Sequence, residues 1–179
     1  VVHRGRAITS FWQCGDLYAH DPRTLAPLGK ETWNGAFPSD VGISAHPKVD
    51  QATGEMLLFN YGKEAPFMHY GVVDATGALV HYVDVPLPGP RLPHDMAFTE
   101  NYAILNDMPL FWDPELLPQG IHLPRYYPDM PTRFAVRPRR RATAGRRGSE
   151  ADPASAPHRP TPSQAGPEGT RAASVHHAP

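Results

Sequence analysis

A single cysteine, Cys14, occurs in the whole sequence. That excludes an internal disulfide framework and a zinc site built on clustered cysteines. Long apolar runs are missing too, since no window approaches the ~18 apolar residues that a bilayer-spanning helix needs. No basic-then-apolar leader opens the chain, which begins at Val1 rather than Met. With neither feature, the expected compartment is cytoplasmic. Net charge is nearly absent, with 17 Lys and Arg against 18 Asp and Glu, so no global basic field attracts nucleic acid. A serine nucleophile turn of the Gly-x-Ser-x-Gly kind is lacking. So is any His-x3-His or His-x-x-Glu-His pair for a helix-borne zinc protease. What abounds is proline, 22 of 179 residues, where ~5% is usual. Proline removes backbone donors and breaks helices, so the expectation is a loop-rich, β-rich chain of one modest domain.

The near-zero charge conceals two unlike segments. Region 137–179 carries 8 basic against 3 acidic residues, whereas 1–136 carries 9 against 15. Region 137–179 also has Val175 as its only large aliphatic residue and holds no Phe, Tyr, Trp, Leu, Ile or Met. Such a segment cannot bury enough apolar surface to offset ~1–2 kcal/mol of chain entropy per residue. The expected organisation is therefore a folded 1–136 and a disordered Arg/Pro/Ala-rich tail, 137–179. The abrupt change suggests a high-GC gene read out of frame, with a natural disordered tail as the alternative. Arg137, Arg139, Arg140, Arg141, Arg146 and Arg147 have no interleaved aromatics for base stacking, so no nucleic-acid partner is expected.

Before that break, short runs rich in β-branched and aromatic residues alternate with turn signals. Met56–Asn60, Phe67–Val73, Leu79–Val85, Asp95–Thr99 and Tyr102–Asn106 read as strands. Asp50 to Gly54 and Asp74 to Gly77 read as tight turns, in which Asp opens the turn and Gly supplies the positive φ. Val49-Asp50 with Thr53-Gly54 recurs as Val73-Asp74 with Thr76-Gly77. Two strands per ~24 residues approaches the ~40–50 residues of one propeller blade, while a β-sandwich produces similar strand spacing. From pattern alone the fold is all-β, and both architectures stay open.

Seven histidines precede the break: His3, His20, His46, His69, His81, His94 and His122. His69 and His81 lie in the expected hairpin and read as ordinary strand residues. His46 and His94 differ, because each adjoins a proline that constrains its backbone, in Ala45-His46-Pro47 and Pro93-His94-Asp95. They are 48 residues apart, about one blade repeat, so in a propeller they would converge on the axis. Converging neutral imidazoles suit Fe, Zn, Cu or Ni, and two histidines alone do not choose among them. Asp95 and Asp107 read as turn formers, and Cys14 as a small buried residue.

These residues carry a resemblance. Ile43-Ser44-Ala45-His46-Pro47-Lys48-Val49-Asp50, followed by Thr53-Gly54-Glu55, resembles the first iron-histidine segment of the carotenoid cleavage oxygenases. That family includes the lignostilbene dioxygenases and the retinal pigment epithelial isomerohydrolase. Tyr70-Gly71-Val72-Val73-Asp74, the Val85-to-Pro90 linker and Pro93-His94-Asp95-Met96-Ala97-Phe98-Thr99-Glu100-Asn101-Tyr102 resemble its next segment. Pro131-Thr132-Arg133-Phe134 resembles the strand that follows, so coverage is roughly residues 30–138.

The resemblance implies a seven-bladed β-propeller, of which this chain would form about two to three blades. It also implies a non-haem iron, Fe(2+), held by four histidines, of which His46 and His94 match two. The implied reaction is cleavage of a C=C double bond in a carotenoid, apocarotenoid or stilbene by O2. The implied partners are an apolar polyene or stilbene and O2, with peripheral membrane contact open to the full-length enzyme. The alternative reading is a non-enzymatic β-propeller binding module. This chain would also be an incomplete, inactive piece of such an enzyme.

Overall fold

In a computed structural model, residues 1–37 and 42–140 are described. The first strands are β1 (Val2–His3), β2 (Arg6–Thr9), β3 (Cys14–Gly15), β4 (Tyr18–His20) and β5 (Pro27–Lys30). Next come β6 (Ile43–Ser44), β7 (Lys48–Asp50), β8 (Glu55–Tyr61), β9 (Met68–Val73) and β10 (Leu79–Asp84). The last are β11 (Ala97–Phe98), β12 (Tyr102–Asp107), β13 (Leu110–Trp112), β14 (Pro124–Tyr126) and β15 (Arg133–Pro138). A three-residue 3-10 turn, Leu117–Gln119, is the only helical element among the described residues. No helix there is long and apolar enough to cross a membrane.

Three antiparallel sheets dominate, ordered β1-β2-β4-β5, β10-β9-β8-β7 and β11-β12-β15. The pairs β3-β6 and β13-β14 are smaller additions. The central sheet is covered on both faces, and β8 shows how. All seven of its residues are buried, and strand geometry sends alternate side chains to opposite faces. Met56 and Leu58 join Ile8, Leu17, Trp33 and Ile43 in one core. Leu57, Phe59 and Tyr61 join Tyr70, Met96, Ala103 and Leu105 in the other. Each sheet thus closes a face of the next, which is the stacking of propeller blades rather than of a two-sheet sandwich. The described strands form part of a seven-bladed β-propeller.

The expected turns are present with their expected chemistry. Asp74 Oδ1 accepts from the Thr76 and Ala78 N–H groups at 2.8 and 3.0 Å, and Gly77 takes φ +89°. Asp50 Oδ1 accepts from Ala52 N–H at 2.9 Å, and Gly54 takes φ +71°. They close the β9–β10 and β7–β8 hairpins, so the weak sequence repeat marks equivalent turns of one sheet. The hairpin pairs Leu79 with Val73 and Asp84 with His69, with one irregularity between Leu79 and His81.

Two expectations need correction. The strand expected over Asp95–Thr99 shrinks to Ala97–Phe98, because His94 turns the chain at φ +44° and Asp95 is drawn into an ion pair with Lys48. The boundary expected at Arg137 also falls inside the fold. β15 continues through Arg137, paired with Ala103, and Pro138, paired with Tyr102. Arg139 is then buried at 5% exposure. Pairing and ion pairs hold 137–140 against the sheets despite their composition. The rest of the expected tail, including His158, His176 and His177, lies outside the described residues.

Candidate functional site

β7 is the first strand of the central sheet and β11 the first of the third sheet. His46 stands two residues before β7, and His94 three before β11. The two histidines therefore enter neighbouring blades at equivalent points. Their rings meet at a centroid distance of 4.8 Å and an angle of 77°.

Local sequence explains why each ring is aimed. Pro47 follows His46 and is buried; steric clash with its Cδ limits the backbone of the histidine before it. Pro93 precedes His94, and the Asp95 N–H closes a tight turn on the Pro93 carbonyl at 2.5 Å. His94 then adopts its positive φ, a conformation that histidine tolerates better than most side chains. Lys48 Nζ reaches Asp95 Oδ1 at 2.7 Å, joining the residue two beyond His46 to the one beside His94. Asn106 Nδ2 donates to the Asp95 carbonyl at 2.6 Å, fixing this segment to β12. The Asp95 carboxyl is drawn below its ordinary value of 3.8, as the Lys48 and Met96 hydrogen bonds outweigh its partial burial.

The other described histidines have different employment. His3 Nε2 meets the Gly54 carbonyl at 3.0 Å. His69 Nδ1 pairs with Asn60 Oδ1 at 3.0 Å, and its ring stacks on Tyr82 at 5.3 Å and 6°. His81 sets an edge against Tyr70 at 5.7 Å, while His122 Nε2 lies 2.9 Å from Lys63 Nζ. His20 Nδ1 is buried without a hydrogen bond. Cys14 is a half-buried free thiol. Desolvation pushes it up to about 11, while the Tyr61 N–H bond acts the other way. At neutral pH it is protonated and a poor nucleophile.

The donor chemistry of the pair fits a borderline transition metal, because neutral imidazole nitrogen is a good ligand for such ions. The set is small, however. Among the described residues no cluster of three or more His, Cys, Asp or Glu could hold a metal ion. Asp107, read from sequence as a turn former, instead ends β12 between two guanidinium groups, Arg91 at 2.9 Å and Arg133. The sequence places Arg139 in the expected tail and Asp95 among the turn formers, and it does not show the Lys48–Asp95 ion pair. The one signal for that pair is position, in that Lys48 and Asp95 lie within the two histidine motifs.

The chain is similar to several known proteins. The family model for retinal pigment epithelial membrane protein matches residues 1–159. A carotenoid 9,10(9',10')-cleavage dioxygenase of Pisum sativum is 38% identical over 98 residues, 54% of this chain and 18% of that protein. A resveratrol cleavage oxygenase of Aspergillus fumigatus is 35% identical over 128 residues, covering 70% of this chain and 26% of the relative. Among solved structures, a lignostilbene dioxygenase of Pseudomonas brassicacearum superposes with TM-score 0.68 at 34% identity. That match covers 78% of this chain and 29% of the other. An apocarotenoid oxygenase variant from Synechocystis gives TM-score 0.64 at 22% identity over 77% and 31% of the two chains, a likeness of fold. The chain thus spans about a fifth to a quarter of these two curated relatives.

Proposed function

The chain belongs to the carotenoid cleavage oxygenase family, and from that premise we propose that His46 and His94 supply two imidazole ligands to a non-haem Fe(2+). The whole protein would use that iron to cleave a C=C double bond of an apolar polyene or stilbene with O2. One observation carries the reading. Two histidines 48 residues apart bring their rings to 4.8 Å at equivalent entrances to adjacent blades. The other described histidines are engaged elsewhere or buried. Relatives named for cleavage of carotenoids, resveratrol and lignostilbene support the substrate class.

When bound, iron would supply the redox chemistry of oxygen activation. The chain's own contribution is geometric. Pro47 and Pro93 limit the approach of each histidine, the Lys48–Asp95 pair holds the two segments together, and the cores of β8 and β9 give them a rigid base. None of these residues needs to transfer a proton. Two described ligands cannot complete a sphere of four, so the others belong to parts of the protein beyond these sheets.

Replacing His46 or His94 with Ala in the full-length parent should remove iron and O2-dependent cleavage together. Iron stoichiometry by mass spectrometry checks this. Full iron and turnover in His46→Ala would exclude that residue. A non-enzymatic binding module is the second reading, as among the described residues no third His, Cys, Asp or Glu joins the pair. Two more axis-facing histidines in the remaining blades would dismiss it.

A further inference from the structure

We propose that Arg139 is a positioning residue that sets the spacing of His46 and His94 from the far ends of the strands they introduce. The inference rests on reading those histidines as a ligand pair. The guanidinium reaches two segments at once. Toward the β7–β8 hairpin, Nη1 donates to Asp50 Oδ2 and Nη2 to Glu55 Oε2, each at 2.7 Å. Toward the β11–β12 turn, Nη1 donates to the Glu100 carbonyl at 3.1 Å, and the guanidinium carbon lies 5.2 Å above the Phe98 ring. The backbone is held as well. Arg139 N–H donates to the Asn101 carbonyl at 3.0 Å, and its own carbonyl accepts the Tyr70 hydroxyl at 3.1 Å.

Asp50 follows His46 by four residues, and Phe98 follows His94 by four. Four extended residues span ~13 Å, the reach of the His46 segment, while the His94 segment first turns at φ +44° and then enters β11, so the two histidine-bearing segments are fastened at both ends. Lys48–Asp95 ties the ends near the rings, and Arg139 ties the distant ends. Two strands joined at one point can scissor, whereas two strands joined at two points cannot. Lysine would not substitute, because it offers one charge centre where the planar guanidinium engages two carboxylates and a carbonyl in fixed directions.

The test separates positioning from general stability. In the metal-free 179-residue chain, kept below self-association and labelled at histidine, ring protons of His46 and His94 should give an NMR cross-peak. Arg139→Met should lose most of it. Arg139→Lys and the milder Asp50→Asn, which spare most of the fold, should each weaken it by about twofold or more. Leu58→Ala, a core change facing the first sheet, is the control for lost stability and should leave the cross-peak intact. A full-strength cross-peak in folded Arg139→Lys and Asp50→Asn would overturn the proposal, as would equal loss in Leu58→Ala. A separate cobalt(II) titration tests the underlying ligand reading. Arg139→Lys should weaken cobalt binding about tenfold, and His46→Ala should abolish it. Unchanged affinity in both His46→Ala and His94→Ala would end the ligand reading, while the cross-peak result for Arg139 would stand by itself.

Discussion

At the scale of single residues, the site combines strain with electrostatics. His94 holds φ +44°, which costs a side chain with a Cβ ~1–2 kcal/mol relative to right-handed backbone. Glycine carries little of that cost. His94→Gly should therefore be more stable than His94→Ala by about 1 kcal/mol, although both lose the imidazole. Urea unfolding of the two variants measures the difference, and equal midpoints would mean that the turn relaxes once the ring is gone. Asp50 gives a pH prediction. The hydrogen bond from Arg139 is the main cause holding its carboxyl below the ordinary 3.8. A depressed folded value means that the stabilisation is complete above 3.8 and disappears as pH falls through the lowered value. Asp50→Asn should accordingly be less stable than the parent at pH 6, with the gap closing in the acid limb. A gap that persists or widens there would show that Asp50 is not the group titrating against Arg139.

At the scale of elements, local pattern made much of the structure legible. β8, β9, β10 and β12 were readable because short β-branched and aromatic runs lay between Asp- and Gly-bearing turns, a code that needs no distant partner. Choosing between sandwich and propeller was not local. It depended on which sheet covers which face of β8, and alternation within one strand cannot report that. The approach of His46 to His94 was legible from proline context and spacing, while a metal between them is what the family resemblance implies. Arg139 was hidden for a different reason. Its Arg-Pro-Arg-Arg neighbourhood matches the composition of a tail, and only the pairing of β15 with β12 shows that the segment belongs to the fold. Gly71 gives this scale its prediction. A Cβ there would lie 2.9 Å from Leu58 Cδ1 and 3.1 Å from the His81 carbonyl oxygen. The backbone oxygen cannot rotate away, so Gly71→Ala should pry β9 from β10 and cost ~1–3 kcal/mol, as overpacking does. Chemical denaturation would register it, and an unchanged midpoint would mean that the hairpin slides to make room.

At the scale of the whole molecule, a propeller covers its blade faces by packing them in a closed ring and leaves only short, protected strand edges, and the described sheets do not close such a ring. Among the described residues β15 ends its sheet with one side unpaired, and Val136 and Phe134 on it are 61% and 41% exposed. Beside it lies a groove lined by Met68, Val85, Leu87, Leu105, Phe134 and Val136. An open edge next to an apolar groove is a template for intermolecular pairing. The 179-residue chain by itself should self-associate with rising concentration, and Val136→Lys should suppress this without shifting the unfolding midpoint. Sedimentation equilibrium of both proteins is the check, and association unchanged by Val136→Lys would place the contact elsewhere. Iron follows the same logic. Fe(2+) ranks low among divalent metals in affinity, and two neutral imidazoles compete poorly with buffer or zinc for it. After dialysis the chain should hold well under one iron per molecule and release no product from a stilbene and O2. One tightly bound iron with a cooperative unfolding transition would contradict this, since the missing ligands would then have to come from a second copy or from residues beyond Arg140.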